Sequence, residues 1–145
     1  MIDRIKSDLL VAMKQRDTTT VATLRMLISQ VQYARIDLKR DLEEKDYVAI
    51  LQRAVKTRRE AIEQYEKGGR PERADQERSE ITVVERYLPA QMGEAEVARA
   101  VDALLKELGL TSKKDLGRAM KEFMERHRGR VNGKMVNALI ASRLS

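Results

Sequence analysis

The sequence predicts an all-α protein, and three observations carry that expectation. Apolar residues recur every three or four positions through almost the whole chain, which is the spacing of a helix face, and no stretch alternates as a half-buried strand does. Charged residues make up 36% of the chain, enough to solvate the outer faces of such helices. The breaks between periodic stretches carry helix punctuation: a threonine run at 18–20, Gly-Gly-Arg-Pro at 68–71, and single glycines at 109 and 129. The expected architecture is an N-terminal four-helix domain with a long antiparallel hairpin, followed by a small three-helix C-terminal domain.

The first helix is expected from about Asp3 to Arg16, with Ile2, Ile5, Leu9, Ala12 and Met13 on one face. Thr18-Thr19-Thr20 interrupts the pattern, and Thr20 is placed to cap the second helix, whose stripe is Leu24, Leu27, Ile28, Val31 and Leu38. A third helix, about Glu43 to Lys67, presents Tyr47, Leu51, Ala54, Ala61, Ile62 and Tyr65. Its opening acids Glu43, Glu44 and Asp46 suit the positive end of the helix dipole. Gly68-Gly69-Arg70-Pro71 then combines a left-handed stop with a residue pre-set for the next first turn. The fourth helix is expected to reach Leu88, with Ala74, Glu77, Ile81, Val84 and Leu88 as a narrow seam for helix-on-helix packing. Counting outward from the turn sets Arg59 opposite Glu80 as a cross-hairpin ion pair.

Pro89-Ala90-Gln91-Met92-Gly93 reads as a boundary, giving domains 1–90 and 91–145. Beyond it, helices are expected at about Glu94–Leu108, Ser112–His127 and Gly133–Leu144. Val97, Val101, Leu104, Leu105 and Leu108 line the first; Leu116, Ala119, Met120 and Phe123 the second; Val136, Leu139, Ile140 and Leu144 the third. Ser112-Lys113-Lys114-Asp115 has the form of a capping box with Asp in the Glu position. The methionines at 13, 26, 120 and 124 fall on or beside the apolar stripes and read as core filler.

Composition narrows the chemistry. The 145 residues contain no cysteine and one histidine, which excludes disulfides, thiolate catalysis and Cys-based zinc sites. Aromatic residues are 3% of the chain, too few for a base-stacking surface. No apolar run is long enough to cross a membrane, and Met1-Ile2-Asp3 leads straight into a charged helix. The expected compartment is the cytoplasm, with no membrane partner and no cofactor. Phosphate-loop, nucleophile-elbow and zincin motifs are absent. Glu60 and Glu63 could pair as carboxylates, but Lys56 and Lys67 at i, i+4 spacing make a solvated ladder the simpler reading. His127, in the last turn of a helix, suits a cation that favours the dipole. No catalytic residue is identified, and the chain by itself is expected not to be an enzyme.

Charge is distributed unevenly. Residues 1–110 hold 20 Lys/Arg and 20 Asp/Glu, whereas residues 111–145 hold 9 and 3, so the net +6 lies in the last 35 residues. A neutral body with a basic end implies a local anionic partner or a solvated basic surface. Lys113 and Lys114 sit in a first helical turn, where each cation opposes the dipole at a cost of roughly 0.3–1 kcal/mol. They make better sense facing an external anion. Lys114, Arg118 and Lys121 share a helix face. Arg126, Arg128, Arg130 and Lys134 crowd the Gly129 turn and the start of the last helix, where Asn132-Gly133 supplies a cap and a backbone able to approach phosphate. With so few aromatics, recognition there would follow backbone and shape, as in structured RNA or a duplex.

Two groups of residues resemble the YqeY-like family and, related to it, the tail of the B subunit of glutamine-dependent aspartyl/glutamyl-tRNA amidotransferase. The first is Arg58-Arg59-Glu60-Ala61-Ile62 with Tyr65, Gly68-Gly69-Arg70-Pro71, Glu77, Glu80-Ile81 and Tyr87-Leu88-Pro89. The second is Ser112-Lys113-Lys114-Asp115-Leu116-Gly117 with Met120, then Gly129-Arg130-Val131-Asn132-Gly133-Lys134 with Val136-Asn137. Leu116 stands where the family often has Met, and Val131-Asn132 replaces the usual Ala-Asp, which makes the loop more cationic. The resemblance implies a helical domain followed by a small three-helix domain. It also implies a non-catalytic tRNA-binding or tRNA-associated accessory module, since the amidotransferase tail is understood to hold tRNA while a separate domain does the carbon–nitrogen ligase chemistry. The implied partners are tRNA or other structured RNA, and amidotransferase or aminoacyl-tRNA synthetase machinery. Lys113, Lys114, Arg118, Lys121, Arg128, Arg130 and Lys134 would meet phosphates, with Asn132 and Gly133 shaping the loop. The alternative is a protein–protein adaptor docking through the hairpin of residues 43–88, with Arg58, Arg59, Glu77 and Glu80 at the contact.

Overall fold

A computed structural model describes residues 1–145 as seven α-helices with no strand. They are α1 (Ile2–Lys14), α2 (Thr18–Leu38), α3 (Glu44–Lys67), α4 (Pro71–Glu85), α5 (Glu94–Leu108), α6 (Leu116–Arg126) and α7 (Gly133–Arg143), with a 3-10 turn at Lys113–Asp115. The chain divides into two compact units, Met1–Leu88 and Pro89–Ser145. Helices α1–α4 pack together in the first and α5–α7 in the second.

In unit 1, Ile5 of α1, Leu24 and Leu27 of α2, Leu51, Ala54 and Val55 of α3, and Ile81, Val84 and Tyr87 of the α4 end form one core. The α3–α4 connection closes through Gly69, whose φ of 69° is the left-handed stop expected there, while Arg70 N–H donates back to the Tyr65 carbonyl at 2.8 Å. Pro71 occupies the first position of α4. Charge complements the apolar seam. Arg58 donates to Glu80 at 3.3 Å, and Arg78 bridges Glu66 across the hairpin and Asp75 on its own helix. Both cross-hairpin pairs join an earlier residue on α3 to a later one on α4, as antiparallel helices require. At the far end of the unit, Tyr87 Oη donates to Asp8 at 2.5 Å. Arg4 lies over the Tyr87 ring and donates to the Arg86 carbonyl at 3.1 Å.

The structure corrects several expectations. Asp17, not Thr20, caps α2: its carboxylate accepts from the Thr20 N–H at 3.1 Å and from the Thr20 hydroxyl at 2.7 Å. Thr20 and Thr23 instead turn into the core. Helix α4 ends at Glu85, and the chain tightens to Leu88 through i→i−3 bonds of the 3-10 type. The ion-pair partner of Glu80 is Arg58, one residue from the expected Arg59. Arg58 lies three and four residues after Val55 and Ala54 on the buried stripe of α3 and is itself 9% exposed, whereas Arg59 points to solvent. Leu38 is also exposed, beyond the part of α2 that contributes to the core.

Unit 2 is built around Phe123, which is fully buried. Val97, Val101, Leu104, Ala119, Val136 and Ile140 surround it from all three helices. The expected Ser112–His127 helix divides into the 3-10 turn and α6. The leading segment of the unit is tied to the turn after α6. Met92 N–H donates to the Arg130 carbonyl at 2.9 Å, Gln91 Nε2 to the Gly129 carbonyl at 2.7 Å, and Arg130 Nε to the Ala90 carbonyl at 2.9 Å.

Candidate nucleic-acid interface

The cations of residues 111–145 fall into two classes. Ser112 and Asp115 form the reciprocal cap expected of them. The Lys114 N–H donates to Ser112 Oγ at 3.3 Å, and the Ser112 N–H donates to Asp115 Oδ2 at 3.4 Å. That cap fixes the backbone and leaves the Lys113 and Lys114 side chains in solvent. Arg118 and Lys121 follow on the exposed face of α6, and Arg128 and Lys134 stand exposed at its far end. None of these six makes a contact with a carboxylate within 4 Å, whereas the other cations of the segment do. Because α6 has 11 residues, the free cations extend over about 16 Å of helix axis.

The second class is occupied. Arg126 binds both Glu107 and Glu122, and Arg143 binds Asp102 at 2.6 Å. Arg130, expected among the phosphate contacts, is a structural crosslink: besides its bond to Ala90, its guanidinium meets Glu96 at 3.5 Å. At the start of α7 the Asn132 side chain accepts from the Lys134 N–H at 2.9 Å. This is the expected cap, but it consumes one N–H that a phosphate could have used. At Gly133 an added Cβ would only touch Met124 Cε at 3.7 Å, so space there does not demand glycine. His127 also departs from expectation. It terminates α6 against Phe123, with ring centroids 4.4 Å apart. Burial first, and then the charges of Arg130 and Arg126, lower its pKa, so at neutral pH it is a neutral packing residue.

The residues of the alternative docking surface are also sorted by the structure. Arg58, Glu77 and Glu80 converge on a cleft between α2, α3 and α4, together with Met26, Gln30 and Arg53. Arg59 lies outside it. Sequence periodicity marks Arg58 as a buried-stripe position, but Gln30 and Arg53 carry no such signal; only the packing of α2 against the hairpin brings them in.

No helix is long and apolar enough to cross a membrane. The family model described as Yqey-like protein matches residues 2–144. An uncharacterized protein of Schizosaccharomyces pombe is 33% identical over 85 residues, covering 59% of this chain and 69% of its own. Proteins named altered inheritance of mitochondria protein 41, mitochondrial, from Lachancea thermotolerans and Eremothecium gossypii are 32% and 33% identical over 111 residues. Each of those alignments covers 74% of this chain and 59% and 60% of the respective relative, so the match spans about three-fifths of their length.

Proposed function

The chain belongs to the YqeY-like family, and on that premise we propose that it is a tRNA-binding or tRNA-associated accessory module that binds without turning over its ligand. One observation carries the reading: Lys113, Lys114, Arg118, Lys121, Arg128 and Lys134 stand exposed and unpaired along the 3-10 turn, α6, the turn that follows and the first turn of α7, in a unit whose other arginines beyond residue 111 are engaged. Two lysines in a turn that opens a helix oppose the dipole, and an external phosphate relieves that opposition. Low aromatic content favours contact with a sugar–phosphate backbone over contact with bases. The partner class is tRNA or another structured RNA, alongside amidotransferase or aminoacyl-tRNA synthetase machinery. The proposed compartment is one where tRNA is available, the cytoplasm; two fungal relatives carry the word mitochondrial in their names.

The test is binding of purified protein to total tRNA across a salt series, beside a Lys113/Lys114/Arg118/Lys134→Glu variant. If four phosphates are neutralised, the duplex-like slope is about −3.6, and affinity falls roughly a hundredfold between about 50 and 200 mM salt. The variant keeps its fold and loses binding. Equal binding by the variant overturns the assignment of the patch.

A further inference from the structure

Helix α1 carries apolar side chains on its outer side as well as its inner one. Ile5 and Ala12 are buried, and Leu9 packs against the core of unit 1. Facing away from that core, Leu10, Val11 and Met13 remain 61%, 52% and 46% exposed. A single exposed apolar residue needs no partner, whereas a cluster of them points to one. The cluster is framed by cations. Lys6 stands four positions before Leu10 and Lys14 four positions after it, so both lie with Leu10 along one outer line of the helix. Arg16 follows in the turn to α2. All three cations are exposed, and none has a carboxylate within 4 Å. The neighbouring acids are engaged: Asp8 accepts from Tyr87 Oη at 2.5 Å, and Asp17 caps α2. Asp3, in the first turn, is the one acid of α1 without such a partner.

Apolar and basic groups together select the partner. RNA answers the cations but offers little to Leu10, Val11 and Met13. A second copy set antiparallel about Leu10 brings Lys6 against Lys14 of the other chain twice over, and like charges repel. A partner helix meets one stripe at i, i+3, i+4 and i+7. Val11, however, lies about 100° around α1 from Leu10, and Met13 falls on the other side of Leu10, so one helix cannot cover all three. A lipid surface closes around them, because a basic amphipathic helix lies in the headgroup boundary with its lysine stems reaching back to the charged layer. We propose that α1 docks on an anionic lipid bilayer, with Leu10, Val11 and Met13 entering the headgroup–acyl boundary and Lys6, Lys14 and Arg16 meeting anionic headgroups. Docking of this kind needs no spanning run. The sequence-based expectation of no membrane partner rested on the absence of such a run, so it does not bear on this face. The surface belongs to unit 1 alone and stands or falls separately from the α6 cations.

The full chain is floated with vesicles of phosphatidylcholine and with equimolar phosphatidylcholine–phosphatidylserine vesicles. The same series is run on the Lys113/Lys114/Arg118/Lys134→Glu variant, which reads any lipid held by the α6 cations separately. The expected result is binding to the mixed vesicles by both proteins, at least about tenfold tighter than to phosphatidylcholine alone. In the α6 variant, Leu10→Gln with Met13→Gln should weaken binding by at least about tenfold, and Lys6→Gln with Lys14→Gln should do the same. All four side chains are exposed, so these variants keep the fold. Leu10→Trp adds the only tryptophan of the chain, and its emission should shift to the blue with the mixed vesicles and stay unchanged with poly-L-glutamate. No flotation of the α6 variant, or flotation that survives the loss of Leu10 and Met13, overturns the proposal. An equal blue shift with poly-L-glutamate assigns the face to an acidic protein, and a shift that grows with protein concentration without lipid assigns it to a second copy; either result also overturns it.

Discussion

Along the α3–α4 hairpin, cations meet carboxylates: Arg58 reaches Glu80 and Arg78 reaches Glu66 across it, while Arg78 also reaches Asp75 and Lys67 reaches Glu63 within their own helices. Along the 3-10 turn and α6, Lys114, Arg118 and Lys121 meet only solvent. Both regions are rich in charge, yet these hairpin residues are paired within the protein and these three cations are left open. A charge count therefore locates an electrostatic surplus without saying which residues form it. Arg130 and Lys134 contribute equally to the net charge of the basic end, but Arg130 is bound to Ala90 and Glu96 while Lys134 is free.

The largest effect is expected at Arg58. Arg58→Ala leaves Glu80 partly buried without its partner and deletes a buried stem, and the expected cost in denaturant unfolding is about 2–3 kcal/mol. Replacing both members with apolar residues, Arg58→Met with Glu80→Leu, should recover most of that loss. If the single variant costs nothing, the pair is a surface pair like the others and the contrast with α6 dissolves.

A smaller effect sharpens the contrast within unit 2. Arg130→Ala should destabilise by about 1 kcal/mol through loss of the Ala90 bond and leave the salt slope of tRNA binding unchanged. Lys114→Ala should leave stability within about 0.5 kcal/mol and reduce the slope by about 1. Thermal unfolding and salt-series binding on the same two proteins read both quantities, and reversed roles would mean that the division into engaged and free cations is wrong.

The smallest effect is at the α2–α3 junction. The Arg40 guanidinium, followed by the Glu43 N–H, holds the Asp46 carboxyl down to about 2 from 3.8. A carboxyl lowered on folding contributes stability above its unfolded value and loses it as pH falls through its folded value. The cap of α3 should therefore survive to about pH 3 and weaken toward pH 2, read as the Asp46 carboxyl carbon titrating near 2. Arg40→Ala should return that midpoint toward 3.8, and an unchanged midpoint would remove Arg40 as the cause.

Helical periodicity, the Gly69 turn, the Ser112 cap and the Asn132 cap were legible because each depends on residues within four positions of one another. The Asp17 cap was missed although it is equally local, since a threonine run offers several cap candidates and only the core decides that Thr20 turns inward. The engagement of Arg130 was not legible at all. Its acceptor is a backbone carbonyl 40 residues upstream, at Ala90, and backbone acceptors leave no mark in composition or spacing. Arg58 lies between these cases. Its place three and four residues beyond Val55 and Ala54 predicts burial, but its neighbour Gln30 enters from another helix.

The clasp of Arg4 and Asp8 onto Arg86 and Tyr87 brings the first and last turns of unit 1 within hydrogen-bonding distance. The path of the backbone through those four helices is therefore nearly a closed loop, and where it is cut becomes a matter of convenience. A circular permutant that joins Leu88 to Met1 through a short linker and opens at the exposed Gly69 turn preserves every helix and each core contact. Its hairpin would then be held together by packing and by the Arg58–Glu80 and Arg78–Glu66 pairs, with no covalent turn between α3 and α4.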